Sequence, residues 1–226
     1  MTIGAIFDLD GTLCTNPTWK GLARYVKLHR RNRHIHYVFM ALHMPFFYLH
    51  KAGLVSEGRA RATWAHHMTW MLRGMSLAEG QRLFDWIANE HLLPSQRPGV
   101  VSRLQAHRAR GERVILLSGT FQPLLKIIAA HLGADVALGT QPEQRNGCYT
   151  GRALGPACQG EGKAMRLRAY LAETGNDVDL GASSAYADSI FDLPVLEMVG
   201  HPVAVYPDER LEELAVQRGW ERMRET

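Results

Sequence analysis

The heptapeptide FDLDGTL at residues 7–13 places two carboxylates, Asp8 and Asp10, one residue apart behind a short apolar run. Side chains of a strand alternate, so residues two apart share a face. Three further places offer complementary groups. Ser118-Gly119-Thr120 follows the apolar run RVILL, Lys163 opens a stretch of helical character, and Asp188 and Asp192 follow a short β-like segment. Paired acids, a cation and a hydroxyl beside backbone N–H groups suit phosphoryl transfer. One carboxylate can attack phosphorus while a second trades a proton with the leaving oxygen. Several carboxylates repel a phosphate dianion unless a hard divalent ion and a lysine cancel the charge. The charge count therefore asks for Mg2+ as cofactor.

The elements that position these groups are read from periodicity and punctuation. Residues 3–7, IGAIF, read as a buried strand ending at Asp8. Asn16-Pro17 marks a helix start, an N-cap followed by proline at the first helical position. From 17 to about 95 the pattern is helical and strand-free, and Ser76-Leu77-Ala78-Glu79 has the capping-box signature. The rhythm then changes. Helices are expected at 98–110, 121–132 (closed by Gly133), 162–171, 190–199 and the end of the chain. Strands are expected at 113–119, 135–138, 182–187 and 202–206, with a hairpin turn at Asn146-Gly147. Strands alternating with helices imply an α/β fold, a doubly wound (Rossmann-like) parallel sheet. The expected core is residues 1–16 and 96–226, with an inserted α-helical cap domain at 17–95. Ligands of such sheets bind beyond the carboxyl ends of the strands, and all four chemical groups fall at or near such ends.

FDLDGTL, LLSGT, the lysine of GEGKAMRL and AYADSIFDLPVL stand in the order of the four motifs of the haloacid dehalogenase superfamily, which the chain resembles. It is most similar to the phosphoserine-phosphatase-like branch, whose helical cap is inserted just after the first motif. The tail HPVAVYPDERLEELAVQRGW resembles that branch too, so the likeness covers nearly the whole core. The resemblance implies a Mg2+-dependent phosphomonoester hydrolase acting through an aspartyl-phosphate intermediate. It implies Asp8 as nucleophile and Asp10 as general acid and then base. It also implies metal ligation by the side chains of Asp8 and Asp188 and the backbone carbonyl of Asp10, with Asp192 supporting the metal shell through water or Lys163. Ser118 and Gly119 would hold the phosphate, helped by Lys163. Two departures are small: Thr120 stands where small or hydroxyl residues vary, and Ala187 where glycine is usual before the metal aspartate.

The 226 residues, 46% of them hydrophobic, suffice for a real core. Cys14, Cys148 and Cys158 form neither a disulfide framework nor a zinc motif, and no secretion signal pattern opens the chain. A cytoplasmic location is expected. The net charge of +4 is uneven: Lys20 to Arg73 holds ten Lys/Arg against Glu57 alone, about +9, leaving about −5 elsewhere. That basic cap is either a solvated face or a contact for an anionic partner. No nucleic-acid motif accompanies it, and the complete motif set argues against a pure anion-binding module.

In this superfamily the cap usually selects the substrate. Phosphoserine phosphatases of the branch tend to carry a glutamate shortly after the first motif, but residues 14–20 read CTNPTWK, without an acid. A small phosphorylated metabolite or alcohol is therefore the expected substrate, and Arg59 or Arg61 could hold a carboxylate. From His34 to His50 there are 17 residues without Lys, Arg, Asp or Glu. Four histidines and Pro45 exclude a membrane span. The stretch reads as the buried seam of the cap, or as a contact with an anionic membrane surface or an amphiphilic phosphate. The latter defines an alternative function, a lipid-phosphate phosphatase peripheral at the membrane. His29, His36, His43 and His50 recur every seven residues, too far apart on one helix to share an ion, and read as its polar edge.

Overall fold

The computed structural model describes residues 1–51, 56–175 and 177–224, without the side chains of Phe46, Phe47, Leu49, His50, Lys51 and Arg59. His50 of the histidine repeat and Arg59 of the two candidate arginines thus lie outside the described side chains.

Strand β1 (Thr2–Phe7) is followed by an all-helical stretch: α1 (Thr18–His29), α2 (Arg33–Lys51), α3 (Glu57–His67) and α4 (Leu77–Ile87), with short 3-10 and π turns at Met68–Leu72 and Ala88–Leu92. The remainder runs α5 (Pro98–Ala109), β2 (Arg113–Phe121), α6 (Gln122–Leu132), β3 (Val136–Thr140), β4 (Pro142–Arg145), β5 (Cys148–Ala153) and α7 (Glu161–Glu173). It ends with β6 (Val178–Ala187), α8 (Leu193–Leu196), β7 (His201–Val205), α9 (Glu209–Arg218) and β8 (Glu221–Met223). Six strands form a wholly parallel sheet in the order β3-β2-β1-β6-β7-β8. The β4–β5 hairpin stands apart, turning at Asn146 (φ 51°) and Gly147 (φ 75°).

Alternation along the strands sorts the core onto two faces. Phe7 and Leu116 join α5 and α6 on one side, through Leu104, Leu124 and Ile128. Ile6, Ile115 and Leu117 join α7, α8 and α9 on the other, through Leu167, Leu196 and Leu211. The first cluster runs on without a break into Leu22, Phe39 and Leu72 of the helical stretch. Sheet and inserted helices therefore share apolar contacts.

Several local expectations are met. The capping box forms, with the Ser76 hydroxyl accepting from Glu79 N and the Glu79 carboxylate accepting from Ser76 N. Gly133 closes α6 in the left-handed conformation, at φ 68°. Others need correction. α1 begins one residue late, with Pro17 in the cap position, because the Asn16 side chain donates instead to the His91 carbonyl. The expected helix at 190–199 breaks into a 3-10 turn at Ile190–Asp192 and the short α8, since Pro194 has no N–H to carry a helix through. β6 starts at Val178, and the short, polar edge strand β8 had no apolar pattern to announce it.

The histidine repeat is not one stripe. His29 ends α1, and Arg30 and Asn32, both at φ 55°, turn the chain before α2. Asn32 tolerates that conformation, and its buried amide donates to the carbonyls of Met71 (2.8 Å) and Arg73 (3.0 Å). Nor is the 34–51 stretch wholly a buried seam: Phe39 and His43 are buried, while Tyr37, Val38, Leu42, Met44 and Tyr48 are exposed. No helix among the described residues is long and apolar enough to cross a membrane.

Leu116, fully buried in β2 against α5 and α6, reports on this core. Leu116→Ala is expected to lower unfolding free energy by roughly 2–5 kcal/mol in urea denaturation.

Candidate active site

β1 pairs with β6 in parallel, Phe7 opposite Tyr186, so Asp8 and Asp188 leave adjacent strands one step apart. The Phe7 and Tyr186 rings stack at 4.3 Å, and Asp8 N donates to the Tyr186 carbonyl at 3.0 Å. The sheet's order reverses at this point, β2 lying on one side of β1 and β6 on the other. Beyond Asp188, Asp208 fastens the next loop. Its carboxylate accepts from the Ser189 hydroxyl (2.8 Å), Ile190 N (2.9 Å) and Leu211 N (2.9 Å), and its own N donates to the Asp188 carbonyl (2.7 Å).

Asp8, Asp188 and Asp192 each bring an oxygen within 4.8 Å of the others. The Lys163 ammonium, on the first turn of α7, lies 2.6 Å from Asp8 and 2.7 Å from Asp192. Thr12, wholly buried, sets its hydroxyl 3.0 Å from Asp188 and 3.3 Å from Asp8, donating to one at a time. Gly11 sits at φ +92°, and a Cβ there would fall 2.2 Å from the Asp188 carboxylate.

Burial opposes the Lys163 charge, yet the Asp192 and Asp8 carboxylates outweigh it and raise its pKa. Burial, followed by repulsion from Asp8 and Asp192, pushes the Asp188 carboxyl up. Burial also raises Asp192, against the pull of Lys163. Three carboxylates facing one ammonium leave a deficit of positive charge. Clustered hard oxygen donors fit a divalent cation, which would relieve that deficit.

Asp10 is not part of the trio. Its carboxylate turns to the start of α1, accepting from Thr18 N (3.0 Å) and the Thr18 hydroxyl (2.8 Å). Burial and the nearby Asp8 raise its pKa to about 6. Ser118 is buried two residues beyond Leu116, the partner of Phe7, and so stands level with the first residues past β1. β2 does not end at 119 as expected but continues to Phe121. Its pairing jumps from Leu117–Leu138 to Phe121–Thr140, so Ser118 to Thr120 bulge out of the ladder. The Gly119 carbonyl accepts from the Thr140 hydroxyl at 2.9 Å, and a Cβ at Gly119 would meet Gln159 Oε1 at 2.5 Å.

The helical stretch reaches the site through α3. The Arg61 guanidinium lies 4.5 Å over the Phe191 ring, and its charge opposes the burial that raises the Asp192 pKa. Glu57 accepts from Arg61 (3.0 Å) and from Arg210 of α9 (3.4 Å). Thr12, Phe191 and Asp208 were visible only as parts of quoted stretches; Thr18 and Gln159 carried no local signal, because folding alone brings them to the strand ends.

The sequence profile of the haloacid dehalogenase-like hydrolases matches residues 5–197. A phosphoserine phosphatase of Mycobacterium tuberculosis is 32% identical over 98% of this chain and 70% of its own length. A histidinol-phosphatase of Neisseria meningitidis is 36% identical over 64% of each. A protein of unknown function from Bordetella pertussis, solved by crystallography, superposes with a TM-score of 0.78 at 28% identity, covering 99% of both chains. The chain belongs to the haloacid dehalogenase-like hydrolase family, in its phosphoserine-phosphatase-like branch, and is a phosphatase.

Gly11→Ala, which removes no chemical group, is expected to displace the Asp188 carboxylate and lower kcat/KM for an aryl phosphate on the order of 100-fold. Steady-state kinetics beside a thermal melt would separate this from unfolding.

Proposed function

We propose that the chain is a Mg2+-dependent phosphomonoester hydrolase that acts on a small phosphorylated metabolite through an aspartyl-phosphate on Asp8. The observation that carries this reading is the meeting of Asp8, Asp188, Asp192 and Lys163 at the carboxyl ends of β1 and β6. Asp8 attacks phosphorus, and the leaving oxygen takes a proton from Asp10, which Thr18 holds clear of the other carboxylates. Asp10 then draws a proton from the water that opens the aspartyl-phosphate. The Ser118 hydroxyl and Gly119 N–H grip the phosphate oxygens, and the Lys163 ammonium balances their charge. The side chains of Asp8 and Asp188 and the carbonyl of Asp10 hold Mg2+, with Asp192 supporting them through Lys163. When bound, the ion supplies charge neutralisation at the phosphoryl oxygens.

We assign residues 17–95 as a cap domain inserted into a core of 1–16 and 96–226. Its Arg61, beside Phe191 and Asp192, suits a second anionic group of the substrate, such as a carboxylate. The relatives named above are a phosphoserine and a histidinol phosphatase, and residues 14–20 offer no acid for an amino group. Arg61 is thus the ground for a phosphorylated alcohol with a further anionic group as the substrate class, a group that phosphoserine has and histidinol phosphate lacks. A second reading, a lipid phosphate met at a membrane surface, is favoured by the exposed apolar side chains of α2.

Phosphate release is to be measured from phosphoserine, histidinol phosphate, sugar phosphates, nucleotides, lysophosphatidate and phosphatidylglycerophosphate. Asp8→Asn is expected to reduce it on the order of 1,000-fold or more, and a chelator to abolish it until Mg2+ is restored. No release from any substrate, a generic aryl phosphate included, would refute the hydrolase. Arg61→Ala is expected to raise KM roughly tenfold for the preferred substrate and leave aryl phosphate hydrolysis unchanged.

A further inference from the structure

α2 has two unlike sides. Phe39 and His43 are buried against Trp64 and Trp70, and His43 Nε2 lies 2.9 Å from His67 Nδ1. Tyr37, Val38, Leu42, Met44 and Tyr48 are between 39% and 61% exposed. At one residue per 100° these five span an arc of about 160° roughly opposite the buried pair, with exposed Ala41 and Pro45 between them and exposed His34 at its N-terminal end, along a helix about 28 Å long. A lone exposed leucine is ordinary on a protein surface, but a continuous apolar arc marks a contact.

Charge says which contact. Arg33 donates to the Tyr37 hydroxyl (3.1 Å) with its guanidinium 5.9 Å from the ring, so a cation sits on the arc itself. That hydrogen bond, with the charges of Arg33 and Lys27, pulls the Tyr37 phenol below its ordinary pKa, which places Lys27 nearby as well. Arg30 is exposed in the turn between α1 and α2. No Asp or Glu occurs from Lys20 to Ser56. A second copy of the chain meeting this face would bring no countercharge, because the same patch would face itself. A nucleic acid would satisfy the cations but leave the apolar arc in water. A surface that is apolar beneath and anionic above matches both.

We propose that α2 lies flat on an anionic lipid bilayer, with the arc from Met44 through Tyr37, Tyr48 and Val38 to Leu42 against the acyl-chain boundary and Lys27, Arg30 and Arg33 on the headgroups. The helix does not span the bilayer; it rests in the interface, with Tyr37 and Tyr48 at the level where amphipathic rings reside. This docking is independent of the hydrolase reading, and its test does not depend on catalysis.

The full chain is to be co-sedimented with phosphatidylcholine vesicles with and without phosphatidylglycerol. Expected are binding to the anionic vesicles that weakens as salt rises, and a loss of at least about tenfold in the Val38→Glu/Leu42→Glu variant. A second variant, Lys27→Glu/Arg33→Glu, should lose the preference for phosphatidylglycerol. Circular dichroism and aryl phosphate hydrolysis, unchanged in both variants, would show that only docking was lost. The proposal is overturned if the wild type binds neither vesicle, or if both variants sediment like it. A concentration-dependent dimer that Val38→Glu/Leu42→Glu dissolves, without vesicle binding, would equally overturn it and make the face an interface between copies.

Discussion

An ammonium ion taken out of water costs several kcal/mol unless carboxylates meet it at hydrogen-bond distance. Lys163 is almost entirely buried, and the Asp8 and Asp192 carboxylates meet it at 2.6 and 2.7 Å. The contacts join the end of β1, the start of α7 and the loop after β6, segments remote in sequence. Lys163 is the cation that lets three carboxylates gather there, and even with it burial keeps the Asp188 and Asp192 carboxyls raised. The site is thus held together by one buried charge and strained by several others. A phosphoryl-transfer site has use for that condition, since incoming cations and anions relieve or exploit it.

Precision at this edge of the sheet comes from packing behind it. The stacked rings of Phe7 and Tyr186 lock the register of β1 against β6, one residue before Asp8 and two before Asp188. His107 Nε2 contacts the Tyr186 hydroxyl at 2.6 Å, and its Nδ1 meets Glu112, so a buried polar chain fixes the tyrosine in turn. Asp208 does similar service for the following loop while capping α9. Two strand ends and one loop are thereby positioned by side chains that have no part in the proposed chemistry.

The inserted helices answer to a different constraint. Their inner faces continue the core of the sheet through Leu22, Phe39 and Leu72, which accounts for their apolar content. α3 leans on Phe191, the ring between the two acidic residues of the last motif, and Glu57 bridges Arg61 to Arg210 of the core. The outer face of α2 is exposed at Tyr37, Val38, Leu42 and Met44, and it lies within the basic segment from Lys20 to Arg73.

Sequence by itself determined the class of fold, because strand and helix periods, capping residues and turn glycines are local properties that survive without tertiary context. It also offered the candidate groups Asp8, Asp10, Ser118, Gly119, Lys163, Asp188 and Asp192, through their order along the chain and the family resemblance that this order carries. It failed where the governing contact is remote. Pro194 broke a helix that apolar spacing suggested, and the buried Asn32 amide broke a stripe that a seven-residue repeat suggested. Only the tertiary structure decided that Asp10 turns to Thr18 while Asp192 joins Lys163, and that the apolar residues of α2 divide into an inner and an outer face. The physical reason is common to all of these. A residue type states what a group can bond to, but which partner it meets is settled when distant segments pack.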